Sequence, residues 1–161
     1  MDRSVSVLRS KKTGNYILHP FGTFRGYGAY VGINPYREVP GDASSKALGQ
    51  AIVDLLELSG PTGFGIDERD EYVRPTEDEE TIRIREAYGL EDGMTTSKVA
   101  QRFLHAHVEQ RTRQKSWVVQ TYTYSSRWRS LSGSEHEPTR VKHSEGPAAL
   151  GRVLQEVLAL E

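Results

Sequence analysis

The stretch from Asp42 to Gly60, DASSKALGQAIVDLLELSG, constrains the fold more than any other part of the chain. Ala47, Leu48, Ala51, Ile52, Leu55 and Leu56 recur at i, i+1, i+4, i+5, i+8 and i+9, which places them in one apolar stripe on a helix. Asp42 can cap that helix by accepting from its first free amides, and Gly60 with Pro61 closes it. A helix with a single apolar stripe must lie on something, and the flanking segments offer a sheet. Ser4 to Leu8 alternates with period two, Lys11 to Asn15 has turn chemistry, and Tyr16 to Leu18 resumes an extended run, so a hairpin is expected before Pro20 and Gly22 break it. Phe24 to Ile33 reads as an irregular strand bent at its glycines, because neither Lys-Ser/Thr nor a helix follows as a phosphate loop requires. Tyr36 to Val39 is a short strand leading into the helix.

Beyond the helix, Pro61 to Pro75 lacks periodicity and reads as a surface loop. Thr76 with Glu79 has the spacing of a capping box, which starts a second helix carrying Ile82, Ile84, Ala87 and Tyr88 and ending at Gly89. A short third helix starts at Thr95 or Thr96. His107 to Thr112, Ser116 to Tyr124, Arg127 to Leu131 and Thr139 to His143 are expected strands, and Pro147 opens a final helix, Ala148 to Leu160. This last helix echoes the first: Ala47-Leu48-Gly49 matches Ala149-Leu150-Gly151 at an offset of 102, and Val39 matches Val141. Two β-rich segments, each ending in such a helix, suggest a pseudo-repeat with a helical segment inserted between them. The expected class is α+β: an antiparallel sheet with helices packed on one face, in a single domain spanning 1–161.

Composition narrows the chemistry. At 161 residues the chain can bury a core unaided, and the absence of cysteine excludes disulfides, thiolate metal sites and cysteine nucleophiles. No apolar run reaches the roughly 18 residues of a membrane span, and MDRSVSVLRSKKTG lacks the apolar core of a secretion signal, so a cytoplasmic protein without a membrane partner is expected. The net charge of −1 hides a strong asymmetry: residues 67–92 hold eleven Asp and Glu against four Arg, while 98–143 hold nine bases against three acids. Such polarity bears on partners and association rate.

KTGNYILHP (Lys12 to Pro20), the strand into VPGDAS and the LG-containing helix resemble the CdiI-type immunity proteins of bacterial contact-dependent growth inhibition systems. The resemblance covers residues 4–60 and returns at the C-terminal ALG helix. It implies a small cytosolic protein, not an enzyme and without a cofactor. Its partner would be the toxic C-terminal domain of a cognate CdiA protein, commonly a nuclease acting on tRNA or other RNA and here expected to be a ribonuclease, whose active site it would occlude. No binding residues carry over, because partner-facing positions vary with the toxin.

The acidic segment supplies the candidates. Nuclease clefts are basic, and Asp67, Glu68, Asp70, Glu71, Glu77, Asp78, Glu79 and Glu80 could fill one, with Tyr72 and Phe64 as aromatic anchors. A solvated loop and a well-capped helix start explain several of the same acids. His105 and His107 share a face if they lie on a strand, as metal ligands could, and His136 and His143 lie in the same half. With no cysteine or patterned carboxylate nearby, structural histidines and no metal are the expectation. The alternative function is a nucleic-acid-binding sheet using Arg127-Trp128-Arg129 with Trp117, Tyr122 and Tyr124, although alternating aromatics on a half-buried sheet look the same.

Overall fold

In the computed structural model, residues 2–90, 96–111, 113–125, 130–133 and 137–160 are described, with backbone alone at 96, 97, 100, 124, 125 and 130–133. The strands are β1 (Arg3–Ser10), β2 (Tyr16–Arg25), β3 (Val31–Gly32), β4 (Arg37–Val39), β5 (Gly60–Gly65), β6 (Phe103–Gln110), β7 (Ser116–Ser125), β8 (Ser130–Gly133) and β9 (Thr139–Lys142). The helices are α1 (Ser45–Leu58), α2 (Arg69–Val73), α3 (Glu79–Tyr88), α4 (Thr96–Arg102) and α5 (Gly146–Val157). The strands form one sheet in the order β3-β2-β1-β6-β7-β8, with β4 and β5 also on β2 and β9 also on β7. Every pairing is antiparallel except that of β5 with β2.

The expected α+β class is therefore present, and the pseudo-repeat is visible in the register. Arg9 faces Tyr16 across β1 and β2, and Gln110 faces Trp117 across β6 and β7, so the two hairpins correspond. At the centre, Val5 faces Val108 and Val7 faces Ala106. Exchanging the halves turns each of these pairs into the other, about a point between Ser6 and His107. Val39 of β4 borders Tyr16, as Val141 of β9 borders Trp117.

One face of the sheet carries Val5, Val7, Tyr16, Leu18, Ala106, Val108, Trp117 and Val119, all buried under Leu48, Ile52, Leu56, Leu150, Leu154 and Leu158 of α1 and α5 and the turn after α5. The stripe read from Ala47 to Leu56 is thus the sheet-facing side of α1. The two ALG motifs meet where the helices cross. A Cβ built on Gly49 would overlap the carbonyl of Pro147, 2.5 Å from its carbon, and one on Gly151 would overlap that of Ser45, 2.7 Å from its carbon. Each glycine lets its helix rest on the carbonyl four residues before the other glycine, and no side chain fits there.

The placement of helices on one face holds for α1 and α5 and needs correction for α3. Ile84 of α3 is fully buried with Leu8, Ile17 and Phe103, which point to the opposite face because side chains alternate along a strand. Several boundaries also differ. Ser44, not Asp42, caps α1, accepting from the Ala47 amide at 3.1 Å, and Ser59 ends it. Asp78, not Thr76, caps α3; Thr76 instead donates to the carbonyls of Tyr72 and Val73. The expected loop from 61 to 75 contains most of β5, one 3-10 turn and α2. Pro20 and Gly22 lie inside β2, where Ile33 donates its amide to the Pro20 carbonyl.

Candidate partner-binding surface

The acidic segment follows β5, crossing the 3-10 turn Ile66–Glu68 into α2 and then α3. Its carboxylates divide into two sorts. Glu68 accepts from the Gly65 amide at 3.0 Å and pairs with Arg25 at 3.3 Å. Glu77 pairs with Arg85 at 3.4 Å, and Arg37 lies 2.9 Å from Asp78 and 3.5 Å from Glu80. Hydrogen bonds from the Thr81 hydroxyl and from Arg37 hold the Asp78 carboxyl down at about 2. These four acids serve the fold. Asp67, Asp70, Glu71 and Glu79 are exposed and make no ion pair among the described residues.

The uncommitted charge over residues 67–80 is therefore smaller than the acid count suggests. Four free carboxylates stand against exposed Arg69 and Arg74, a balance of −2. The committed acids are also anchored apart, Glu68 at the end of β2 through Arg25 and the Asp78–Glu80 pair on β4 through Arg37. Asp67, Asp70 and Glu71 precede a distinct feature in the chain. Half-buried Tyr72 packs its ring edge-on to buried Phe24 at 6.0 Å and against Phe64 at 5.3 Å. A half-buried tyrosine held by two other aromatic rings, with free acids at neighbouring sequence positions, has the chemistry of an interface anchor.

The sheet face opposite α1 and α5 holds a second cluster that sequence reasoning only half found. His105 and His107 do share a face, with ring centroids 4.7 Å apart, and Tyr122 lies 4.5 Å from His107. Strand pairing brings in residues far apart in sequence: Ser6 borders both His19 and His107. His19 stacks on Tyr36 at 4.7 Å, Phe21 contacts both His19 and His107, and the Ser6 hydroxyl lies 3.0 Å from His105 Nε2. Burial lowers His19 and His107 to about 4 and His105 to about 3, so all three are neutral near pH 7. Among the described residues no three His, Asp or Glu side chains are placed to hold a metal ion. His143 lies apart, with its ring 4.5 Å from Trp117, and His136 falls outside the described residues.

Of the residues named for the nucleic-acid alternative, the two whose side chains are described lie on opposite faces of the sheet. Trp117 is 5 % exposed beneath α5 on one face of β7, whereas Tyr122 points to the other face. Arg127, Trp128 and Arg129 lie outside the described residues, as does the side chain of Tyr124.

No family model matches this sequence, and no curated protein matches it. Solved structures do match. A Neisseria meningitidis protein of unknown function superposes with a TM-score of 0.68 at 14 % identity, over 99 % of this chain and 94 % of the other. A chain from the CdiA-CT/CdiI toxin and immunity complex of Yersinia pseudotuberculosis superposes with a TM-score of 0.64, also at 14 % identity, over 96 % of this chain and 94 % of that one. The likeness is one of fold, end to end. No helix is long and apolar enough to cross a membrane among the described residues.

Proposed function

We propose that this chain is a CdiI-type immunity protein, which binds the toxic C-terminal domain of a cognate CdiA protein, one for one, and blocks its active site without chemistry of its own. The observation that carries this reading is the near-complete structural likeness to a chain of a CdiA-CT/CdiI complex. The resemblance at residues 4–60 points independently to the immunity partner. A nuclease toxin, working in the cytoplasm, is the preferred target. Tyr72 with Asp67, Asp70 and Glu71 would meet its basic, phosphate-binding cleft, while Glu68, Glu77, Asp78 and Glu80 hold the surface in shape and Glu79 borders it.

Co-expression with the CdiA C-terminal domain encoded beside this chain tests the reading. The two should co-purify, and growth should be rescued; failure of both refutes the immunity function. Reversing Asp67, Asp70 and Glu71 to Lys should slow association by about tenfold or more at low salt, the scale of electrostatic steering, with an unchanged melting temperature. Unchanged association would move the interface away from α2.

A further inference from the structure

A cleft on the α3 side of the sheet, about 820 Å³ in volume, collects basic side chains from three separated parts of the chain. Lys11 and Lys12 come from the β1–β2 turn, Arg83 from α3, and Arg102 from the end of α4, with Glu38 and Tyr88 in the wall. The backbone around it is fixed. The Ser10 hydroxyl accepts from the amides of Lys12 and Thr13, Lys11 donates its amide to the Arg102 carbonyl, and the Thr13 hydroxyl lies 3.2 Å from Tyr88 Oη.

Its charges divide as the acids do. Glu38 is satisfied by Arg83 at 3.1 Å, Asn15 at 3.3 Å and a short bond from Tyr88, so that pair is internally neutral. Lys11, Lys12 and Arg102 are exposed and have no ion-pair partner among the described residues. The Arg102 guanidinium sits over Gly89, the left-handed residue that ends α3. The carbonyl end of α3 subtracts roughly half a charge, which leaves between two and three positive charges around the concavity among the described residues.

We propose that this cleft binds a small molecule bearing a di- or triphosphate, of nucleotide size. A single carboxylate would neutralise only one of the three free cations, whereas a polyphosphate chain carries about as many negative charges as the cleft has positive ones. Lys11 and Lys12 supply mobile point charges and Arg102 a planar donor fork, the complementary pair of phosphate-binding chemistries. The volume falls within the ordinary range for small-molecule sites, about 300–1,000 Å³. The inference stands apart from the immunity reading, since neither outcome below bears on toxin binding.

Calorimetric titration of the full chain with magnesium-free ATP, pyrophosphate and adenosine at low salt tests it. ATP and pyrophosphate should each bind saturably at one site, with adenosine at least about 100-fold weaker. ATP binding tighter than pyrophosphate identifies a nucleotide, and equal affinity identifies the phosphates alone as the recognised group. Replacing Lys11, Lys12 and Arg102 together by Gln should weaken binding at least about 30-fold, whereas Lys115, Arg140 and Lys142, which line a separate concavity beside β7 and β9, can become Gln with less than about threefold change. The single variant Lys12→Gln, at an exposed turn, should lower affinity even if the triple variant fails to fold. No saturable binding up to millimolar concentration overturns the proposal. So does an equal loss in both triple variants, which marks unspecific polyanion attraction, or a glutamate-rich peptide binding as tightly as pyrophosphate.

Discussion

Gly151→Ala should destabilise this protein, against the intrinsic preference of helices for alanine. An alanine at an unhindered helical site gains about 1 kcal/mol over glycine. At Gly151 the new methyl would lie 2.7 Å from the Ser45 carbonyl carbon, where carbon atoms rest at about 3.5–4.0 Å. Because the obstacle is backbone, α5 must move by about 1 Å relative to α1. A radial gap of that size forfeits a quarter to a half of each contact, and a buried leucine makes about 40–60 contacts worth 0.1–0.2 kcal/mol each. If roughly a quarter of those made by Leu48, Ile52, Leu150 and Leu154 cross between the helices, about 3 kcal/mol is lost. After the gain in helix propensity, a net cost of about 2 kcal/mol remains, a melting temperature lower by about 4–8 °C for a chain of this length. Gly49→Ala meets Pro147 in the same way and should cost a similar amount. The double variant should cost less than the sum, because one displacement of the helices relieves both overlaps. Urea titration with a thermal melt measures all three variants. A Gly151→Ala protein as stable as the parent, or more so, would refute the reasoning.

Other consequences are open to measurement. Ser59 is buried and its hydroxyl accepts from the Ser4 amide and donates to the Phe21 carbonyl, both at 2.8 Å; Ser59→Ala should cost about 1–3 kcal/mol in denaturant unfolding, and a change under about 0.5 kcal/mol would count against it. Removing the α3 cap by Asp78→Ala should cost about 1 kcal/mol, seen as a lower urea midpoint with an unchanged slope. His19, His105 and His107 have folded values below the ordinary 6.5, so the unfolded chain binds more protons on acidification and stability must fall as pH drops from about 6.5 toward 4. Allowing for solvent around half-buried rings, the loss should be on the order of 1 kcal/mol per histidine by pH 5, and a flat stability between pH 7.5 and 5 would show the rings to be solvated.

The legible parts of this fold are those written in periodicity. The stripe from Ala47 to Leu56 and its echo at Leu150 and Leu154 fixed two helices on one face of a sheet, and the alternation of Val5 and Val7 with Ser4 and Ser6 fixed a strand. Caps were less legible, because Asp42 and Ser44, or Thr76 and Asp78, are nearly equal N-cap residues two positions apart, and tertiary contacts choose between them. Arg37 reaches Asp78 and decides the second case. The segment at 61–75 looked irregular because β5 is defined by parallel pairing with β2, a long-range contact with no local signature. Charge counting found the acidic segment but could not see that Arg25, Arg37 and Arg85 pair with four of the eight acids between 67 and 80. The basic cleft escaped altogether, since Lys11 and Arg102 meet only after β1 has paired with β6.

The pseudo-two-fold register has a consequence for stoichiometry. A strictly symmetric scaffold would present every surface twice and invite two partners, or a second copy of itself. Here the axis between Ser6 and His107 relates β1, β2, β4 and α1 to β6, β7, β9 and α5, but the chain places α2, α3 and α4 only after the first half. Those additions carry the Tyr72 surface, and they build the polyphosphate cleft on one side alone. A partner that depends on them can seat only once, so a duplicated frame presents a single copy of each surface.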